Sequence, residues 1–339
     1  MRRLQGLRCP KRIPRLKLLL EPRTLLGLGA GISLLVLLGS LADWREVAGL
    51  ARQLPPGLLV LPAVAHLFGA ACRVLRWLLM LRGGGVQLPW RAAVATWFGA
   101  DLFGPLPASP LMASYLLHRT GAASAAATVP VVLAGLWVEM VVVVGGTALI
   151  PDAMPLPVRI TAALVSGAAL LGALLLRFRA AHSVIWMMGR GVAGGGRRLM
   201  RFWRGGERWW SLLEELSRWT PSLGGAFSPA ALLPGVLLTA LPLLAGASLT
   251  AAIATALGYP QLTPLRAWSA GGTVMMLAIL SPLPFDLGVV EGGNVLTYSW
   301  LGVPPAAALT IGLLGRVWAT TLGLLLAAVA TWLLRKELT

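Results

Sequence analysis

Acidic residues are scarce in this chain. Aspartate and glutamate together number 12 in 339 residues, and all charged residues make up 12%, where a soluble domain carries about 25%. With 57% hydrophobic residues and a mean hydropathy of +0.78, this composition excludes an ordinary water-soluble globule and predicts a polytopic membrane protein. Cysteine is nearly absent. Cys9 lies in a basic tail and Cys72 in an apolar segment, which excludes a disulfide framework and a zinc motif. The three histidines (His66, His118, His182) lack metal-ligand spacing. Gly194, Gly195 and Gly196 are not followed by Lys-Ser or Lys-Thr, so they are no P-loop. No cofactor and no metal is expected.

Positive charge, by contrast, is plentiful: 29 Lys and Arg give a net charge of +17. Its location argues against nucleic acid as a partner. The cations concentrate in two extramembrane segments, the pattern of positive-inside topology and of contact with anionic lipid. The first segment, residues 1–23, holds Arg2, Arg3, Arg8, Lys11, Arg12, Arg15, Lys17 and Arg23 against Glu21. It is expected to be a cytoplasmic tail, and the apolar run that follows a retained helix rather than a cleaved leader. The second is residues 177–229. There Leu199, Phe202, Trp203, Trp209, Leu213, Leu216 and Trp219 recur at three- and four-residue intervals, with Arg197, Arg198, Arg201, Arg204 and Arg208 mostly between them. An apolar face rich in Trp and a face rich in Arg describe an interfacial helix on an anionic leaflet. A helix packed against the protein's own cytoplasmic end has the same pattern.

Six apolar runs are long enough to cross a membrane, which takes about 20 helical residues. They are 24–42, 57–81, 125–150, 159–176, 230–257 and 304–334. The mixed-sign residues 43–56 suit the outer side. Six crossings place both termini in the cytoplasm of a bacterial inner (cytoplasmic) membrane, where the basic tail and loop also fall. The membrane domain therefore divides into a first half, 24–176, and a second half, 230–335.

Each half contains one stretch that no ordinary spanning helix tolerates. The second is Leu280–Gly293, LSPLPFDLGVVEGG, with Pro282, Pro284, Asp286, Gly288 and Glu291. Proline removes a backbone donor and clashes with the preceding turn, and glycine weakens helices. The first, within 91–119, carries Asp101, Pro105, Pro107 and Pro110. Two readings stay open: short loops between helices, or broken elements (91–119 and 266–303) that enter and leave on one side. The tripeptide Pro-Leu-Pro occurs in both. Glu139 follows Pro105 by 34 residues and Arg316 follows Pro282 by 34. The equal spacing to opposite charges predicts an inverted repeat, an architecture of transporters with broken helices.

The order of motifs is an arginine-bearing second helix (ACRVLRWLLMLRGGGV), a proline break, a glutamate-bearing helix, SPLPFDLGVVEGG, and a last helix with GLLGRVW. From about residue 20 to 335 this resembles the lysylphosphatidylglycerol synthase transmembrane-domain family, the flippase-like integral membrane proteins. Its most specific part is Pro284, Gly288 and Glu291 followed by Arg316. The resemblance implies an all-α protein that moves a lipid between leaflets. Longer members pair the domain with a soluble aminoacylating domain, and short members occur in isoprenoid-lipid, hopanoid or glycolipid pathways. The chain departs from the family at the first break, where Leu106-Pro107-Ala108-Ser109-Pro110-Leu111-Met112 stands for Leu-Pro-Gly-Arg-x-Gly-Glu. The helix with Glu139 reads LWVEM rather than carrying Glu-Arg. These losses point to a less polar or differently charged headgroup.

The candidate site residues are Asp286, Glu291, Arg316, Glu139, Asp101, Arg73 and Arg76. Carboxylates and arginines at membrane depth are costly and face an interior. They serve either a lipid headgroup and its coupling proton, or a structural ion pair between half-helices. Arg73 and Arg76 share a helix face, and either snorkel to the cytoplasmic surface or bind lipid phosphate. The expected partners are membrane lipids and the anionic cytoplasmic leaflet, with a homo-oligomer or lipid-pathway enzymes in addition. The chain is expected not to be an enzyme. A membrane-embedded transferase using Asp286 and Glu291, and a scaffold acting through the basic loop, remain as alternatives.

Overall fold

The computed structural model describes residues 22–101, 109–119, 122–150, 154–177, 225–279 and 286–338. These residues form eleven helices and, among them, no strand. They are α1 (Pro22–Leu41), α2 (Trp44–Gln53), α3 (Pro56–Gly83), α4 (Trp90–Asp101), α5 (Ser109–Arg119), α6 (Ala125–Leu149), α7 (Leu156–Arg177), α8 (Pro229–Ala256), α9 (Pro264–Ile279), α10 (Val289–Trp300) and α11 (Pro305–Leu338). Four of them, α3, α6, α8 and α11, are long and apolar enough to cross a membrane. Shorter apolar stretches lie at Gly31–Leu41 of α1 and Leu156–Gly172 of α7. All six expected runs are therefore helical.

Several helices begin where proline would predict. Pro56 and Pro229 occupy first-turn positions of α3 and α8, where the missing N–H has no helical partner to lose. One sequence expectation needs correction, and one element is new. The connection 43–56 contains the amphipathic helix α2, whose N-cap Asp43 accepts a hydrogen bond from the Arg45 N–H at 2.9 Å. The second break is shorter than the sequence suggests, because α10 already starts at Val289 and takes in Glu291, Gly292 and Gly293. Pro105, Pro107, Pro282 and Pro284, and the surface residues Arg197, Arg198, Arg201, Trp203, Arg204 and Trp209, lie outside the described residues.

The molecule is apolar on the outside. Val60, Val64 and Leu67 of α3, Leu233 and Leu237 of α8, and Val317, Leu324 and Val329 of α11 are exposed. So much exposed apolar surface marks a lipid or protein contact. Close packing inside relies on small residues, as is usual where lipid removes the hydrophobic drive between helices. At the α6–α9 crossing, Gly146 lies against the Trp268 indole, Gly272 against Thr147, and the Thr147 hydroxyl donates to the Ser269 carbonyl at 3.0 Å.

The packing has an internal order. α3 packs on α8; α4 on α11 and α6 on α9; α4 on α5 and α9 on α10; α5 on α6 and α10 on α11. Likewise α3 meets α4, α6 and α11, while α8 meets α9, α11 and α6. Exchanging α3 with α8, α4 with α9, α5 with α10 and α6 with α11 leaves this set of pairs unchanged. The paired members α3 and α8 are each 28 residues long, and α5 and α10 are 11 and 12.

Candidate functional site

Five of the seven candidate charges line one cavity. It has a volume of about 630 Å³ and is bounded by α3, α4, α5, α6 and α11, with Arg73, Arg76, Glu139, Asp286 and Arg316 on its wall. Trp77 and Trp97 also line it; their rings lie 5.7 Å apart at a tilt of 48°. A second cavity of about 300 Å³ lies among α3, α6, α8 and α11. Arg73, Arg76 and Glu139 line both, so these three side chains stand at the boundary between them. Both volumes are within or near the range of small-molecule sites, roughly 300–1,000 Å³.

The first ion pair sits at this boundary. The Arg76 Nη2 group donates to Glu139 Oε2 at 2.7 Å, and its Nη1 group donates to the Thr239 hydroxyl at 2.7 Å. That hydroxyl in turn donates to the Gly235 carbonyl at 2.8 Å. One guanidinium thus ties α3 to α6 and α8. The snorkelling reading of Arg76 fails, because the residue is only 4% exposed. A partly exposed carboxylate on α6 and a buried hydroxyl on α8 hold it inward, and a guanidinium is well suited to such a pair.

The second ion pair sits at the start of α10. Glu291 is 1% exposed. Its Oε2 accepts the Gly288 N–H at 2.7 Å, and its Oε1 lies 3.5 Å from Arg316 Nε on α11. Glu291 is the third residue of its helix, the position from which a carboxylate reaches back to the N-cap N–H. Gly288 has φ +79°, and a Cβ there would lie 2.8 Å from the Leu34 side chain of α1. Glycine satisfies both the left-handed backbone and the close approach. Asp286, two residues earlier, has φ +51°, which costs a side-chain-bearing residue about 1–3 kcal/mol.

Of the remaining candidates, Asp101 ends α4, and its side chain lies outside the described structure. Thr239, Trp77 and Trp97 escape the sequence reading. Thr239 was findable, as the single hydroxyl between Pro234 and Pro242 in an otherwise apolar run; the tryptophans read as membrane-helix filler. Among the described residues no group of three metal-ligating side chains occurs.

The long apolar helices, the lipid-compatible exterior and the enclosed charges define a multi-pass integral membrane protein. Residues 24–335 match the family model described as Lysylphosphatidylglycerol synthase TM region, and the chain belongs to that family. Comparison with curated proteins and with solved structures gives no match.

Proposed function

We propose that this protein binds a lipid or lipid-like amphiphile and moves it between membrane leaflets. One observation carries the reading: a cavity of about 630 Å³ gathers Arg73, Arg76, Glu139 and Arg316 from helices of membrane-spanning composition, with Asp286 from the segment before α10. Charges in hydrocarbon are unfavourable by about 2.5 kcal/mol or more each and collect along substrate pathways. The packing exchange of α3–α6 with α8–α11 supports the inverted repeat. On this reading α4–α5 and α9–α10 are re-entrant pairs entering from opposite faces, since α4, α5, α9 and α10, at 12, 11, 16 and 12 residues, fall short of a crossing of about 20. Transporters of this plan hold their substrate at the repeat interface. Both termini are then cytoplasmic, in the inner membrane of a bacterium.

The test is leaflet exchange in proteoliposomes, comparing a fluorescent phospholipid with isoprenoid and hopanoid-type lipids. Wild-type protein should move at least one of them. Glu291→Gln and Arg316→Gln should slow that movement at least tenfold while the variants remain monodisperse. Exchange by both variants at the wild-type rate would remove this site from the pathway. A chemically altered lipid in the recovered bilayer would favour the transferase, and no movement of any lipid would favour the scaffold.

A further inference from the structure

The smaller cavity holds a titratable group that the translocation reading does not use. Along α3, His66, Gly69, Arg73 and Arg76 line the smaller cavity, and Arg73, Arg76, Trp77 and Met80 the larger. The two cavities are therefore stacked along this helix, the smaller toward its N-terminus. His66 is half-buried, and among the described residues its imidazole has no hydrogen-bond or ion-pair partner. It precedes Arg73 by seven residues, two turns or about 10 Å along one face.

The charged groups around it are few. Arg73 and Arg76 come from α3 itself, and Glu139 comes from α6. α11 contributes Ile311 and Gly315 to this cavity and Arg316 to the larger one. α8, packed along α3, carries no titratable side chain. It offers the hydroxyls of Thr239 and of Thr250, the latter hydrogen-bonded to Tyr298 of α10. α4 also packs on α3; its Arg91 is exposed in the first turn, and Asp101 ends it. With a neutral imidazole, the wall of the smaller cavity holds two cations and one anion. A proton on His66 makes three cations against one, in a space where like charges are little screened.

We propose that His66 is a proton-binding site whose charge opens the smaller cavity. Imidazole is the side chain that changes charge nearest neutral pH, and ionisable groups at membrane depth serve as proton sites. In the neutral state the α3–α8 seam is closed beside it, where a Cβ added at Gly69 would lie 3.5 Å from the Pro242 Cβ of α8. Protonation sets His66, Arg73 and Arg76 against one another, all three on α3, with Glu139 as their one carboxylate on this wall. Water relieves that repulsion, so the seam parts and the cavity hydrates. Acidification therefore speeds turnover. The inference deepens the translocation reading by naming the regulation of its site, and rests on that reading for the link to lipid movement.

The experiment reads cavity opening and lipid movement separately, on the full chain. For the first, Leu243→Cys, on the wall of the smaller cavity, is placed in a Cys9→Ser/Cys72→Ser background in lipid nanodiscs. Its labelling by a neutral, water-soluble maleimide is compared with that of the same chain carrying His66→Gln. The ratio of the two rates cancels the pH dependence of the thiol itself. It should rise at least fivefold from about pH 8 to about pH 5.5, the range that spans imidazole titration. For the second, leaflet exchange is measured in proteoliposomes equilibrated at the same two pH values. Wild type should be severalfold faster in acid, His66→Gln slow at both, and His66→Arg, with its fixed charge, fast at both. His118→Gln, exposed at the end of α5, should keep the wild-type profile. A labelling ratio that is flat with pH would overturn the proposal, as would a wild-type exchange profile in His66→Gln or His66→Arg. A rising ratio with no exchange of any lipid sinks the translocation reading alone; exchange with a flat ratio sinks the His66 proposal alone.

Discussion

The two ion pairs are built in opposite senses. In the first half the cation is the buried partner: side-chain exposures are 5% for Arg76 and 30% for Glu139, at 2.7 Å. In the second half the anion is buried: 1% for Glu291 and 28% for Arg316, at 3.5 Å. In each pair the buried partner has a second anchor, Thr239 for Arg76 and the Gly288 N–H for Glu291. The partly open members, Glu139 and Arg316, are the two residues placed 34 positions after Pro-Leu-Pro, and both line the cavity. Each half therefore buries one charge and leaves its counterion partly exposed on the cavity wall. The sign is reversed between halves, so the two pairs together place both an anion and a cation, Glu139 and Arg316, on the cavity wall.

This contrast makes unequal predictions. The largest stability loss should follow removal of the open partner in the first half. Glu139→Leu strands a buried guanidinium, which has no accessible neutral form, and breaking a buried pair from one side costs about 3–5 kcal/mol. Arg316→Met strands Glu291 instead. That carboxyl keeps the Gly288 N–H, has a neutral form available, and loses a longer contact, so the cost should be about 1–3 kcal/mol. Equilibrium unfolding in mixed micelles ranks the two. A larger loss in Arg316→Met would reverse the assignment of which half is locked. The double variant Arg76→Leu/Glu139→Leu sharpens the point. It should recover most of the loss in Glu139→Leu, since apolar replacement of a whole buried pair is often near neutral.

How much of this was legible in the sequence follows from the same contrast. The six apolar runs and the charges Glu139 and Arg316 within them were readable because membrane crossing demands length and penalises charge. The pairing was only half readable. An ion pair between half-helices was foreseen without its members, and the structure makes it Glu291 with Arg316. Arg76 with Glu139 was not foreseen, because the two are 63 residues apart and nothing local marks the α3–α6 approach. The snorkelling reading of Arg76 failed for the same reason: side-chain length permits it, and only tertiary partners forbid it. α2 was hidden by its short length and mixed charge.

Thr239 tests the anchor of the first pair. Thr239→Val keeps the shape but removes the acceptor for Arg76 Nη1. A hydrogen bond to a charged group is worth about 1.5–3 kcal/mol, and the adjoining cavities allow water to replace part of it, which places the expected loss near the lower figure. Thr239→Ser should restore wild-type unfolding, since it returns the hydroxyl. A Val variant as stable as wild type would mean that Glu139 alone holds the guanidinium.

The smallest effect probes the anchor of the second pair. Gly288→Ala must hold a methyl-bearing residue at φ +79°, and the left-handed region costs a non-glycine residue about 1–2 kcal/mol. The new Cβ also lies 2.8 Å from the Cβ of Leu34, which is fixed to the α1 backbone, so the fit is recovered only by a shift of this turn against α1. The more telling consequence is geometric. Any shift that relieves the clash moves the Gly288 N–H away from Glu291 Oε2, and with it the register between α10 and Arg316. Gly288→Ala should therefore lower leaflet exchange more than its small stability loss explains, whereas Gly49→Ala on α2, with nothing within 4 Å of the added Cβ, should change neither. If Gly288→Ala lost exchange only in proportion to folded protein, the N-terminal turn of α10 would be a structural cap and not part of the charge-presenting device.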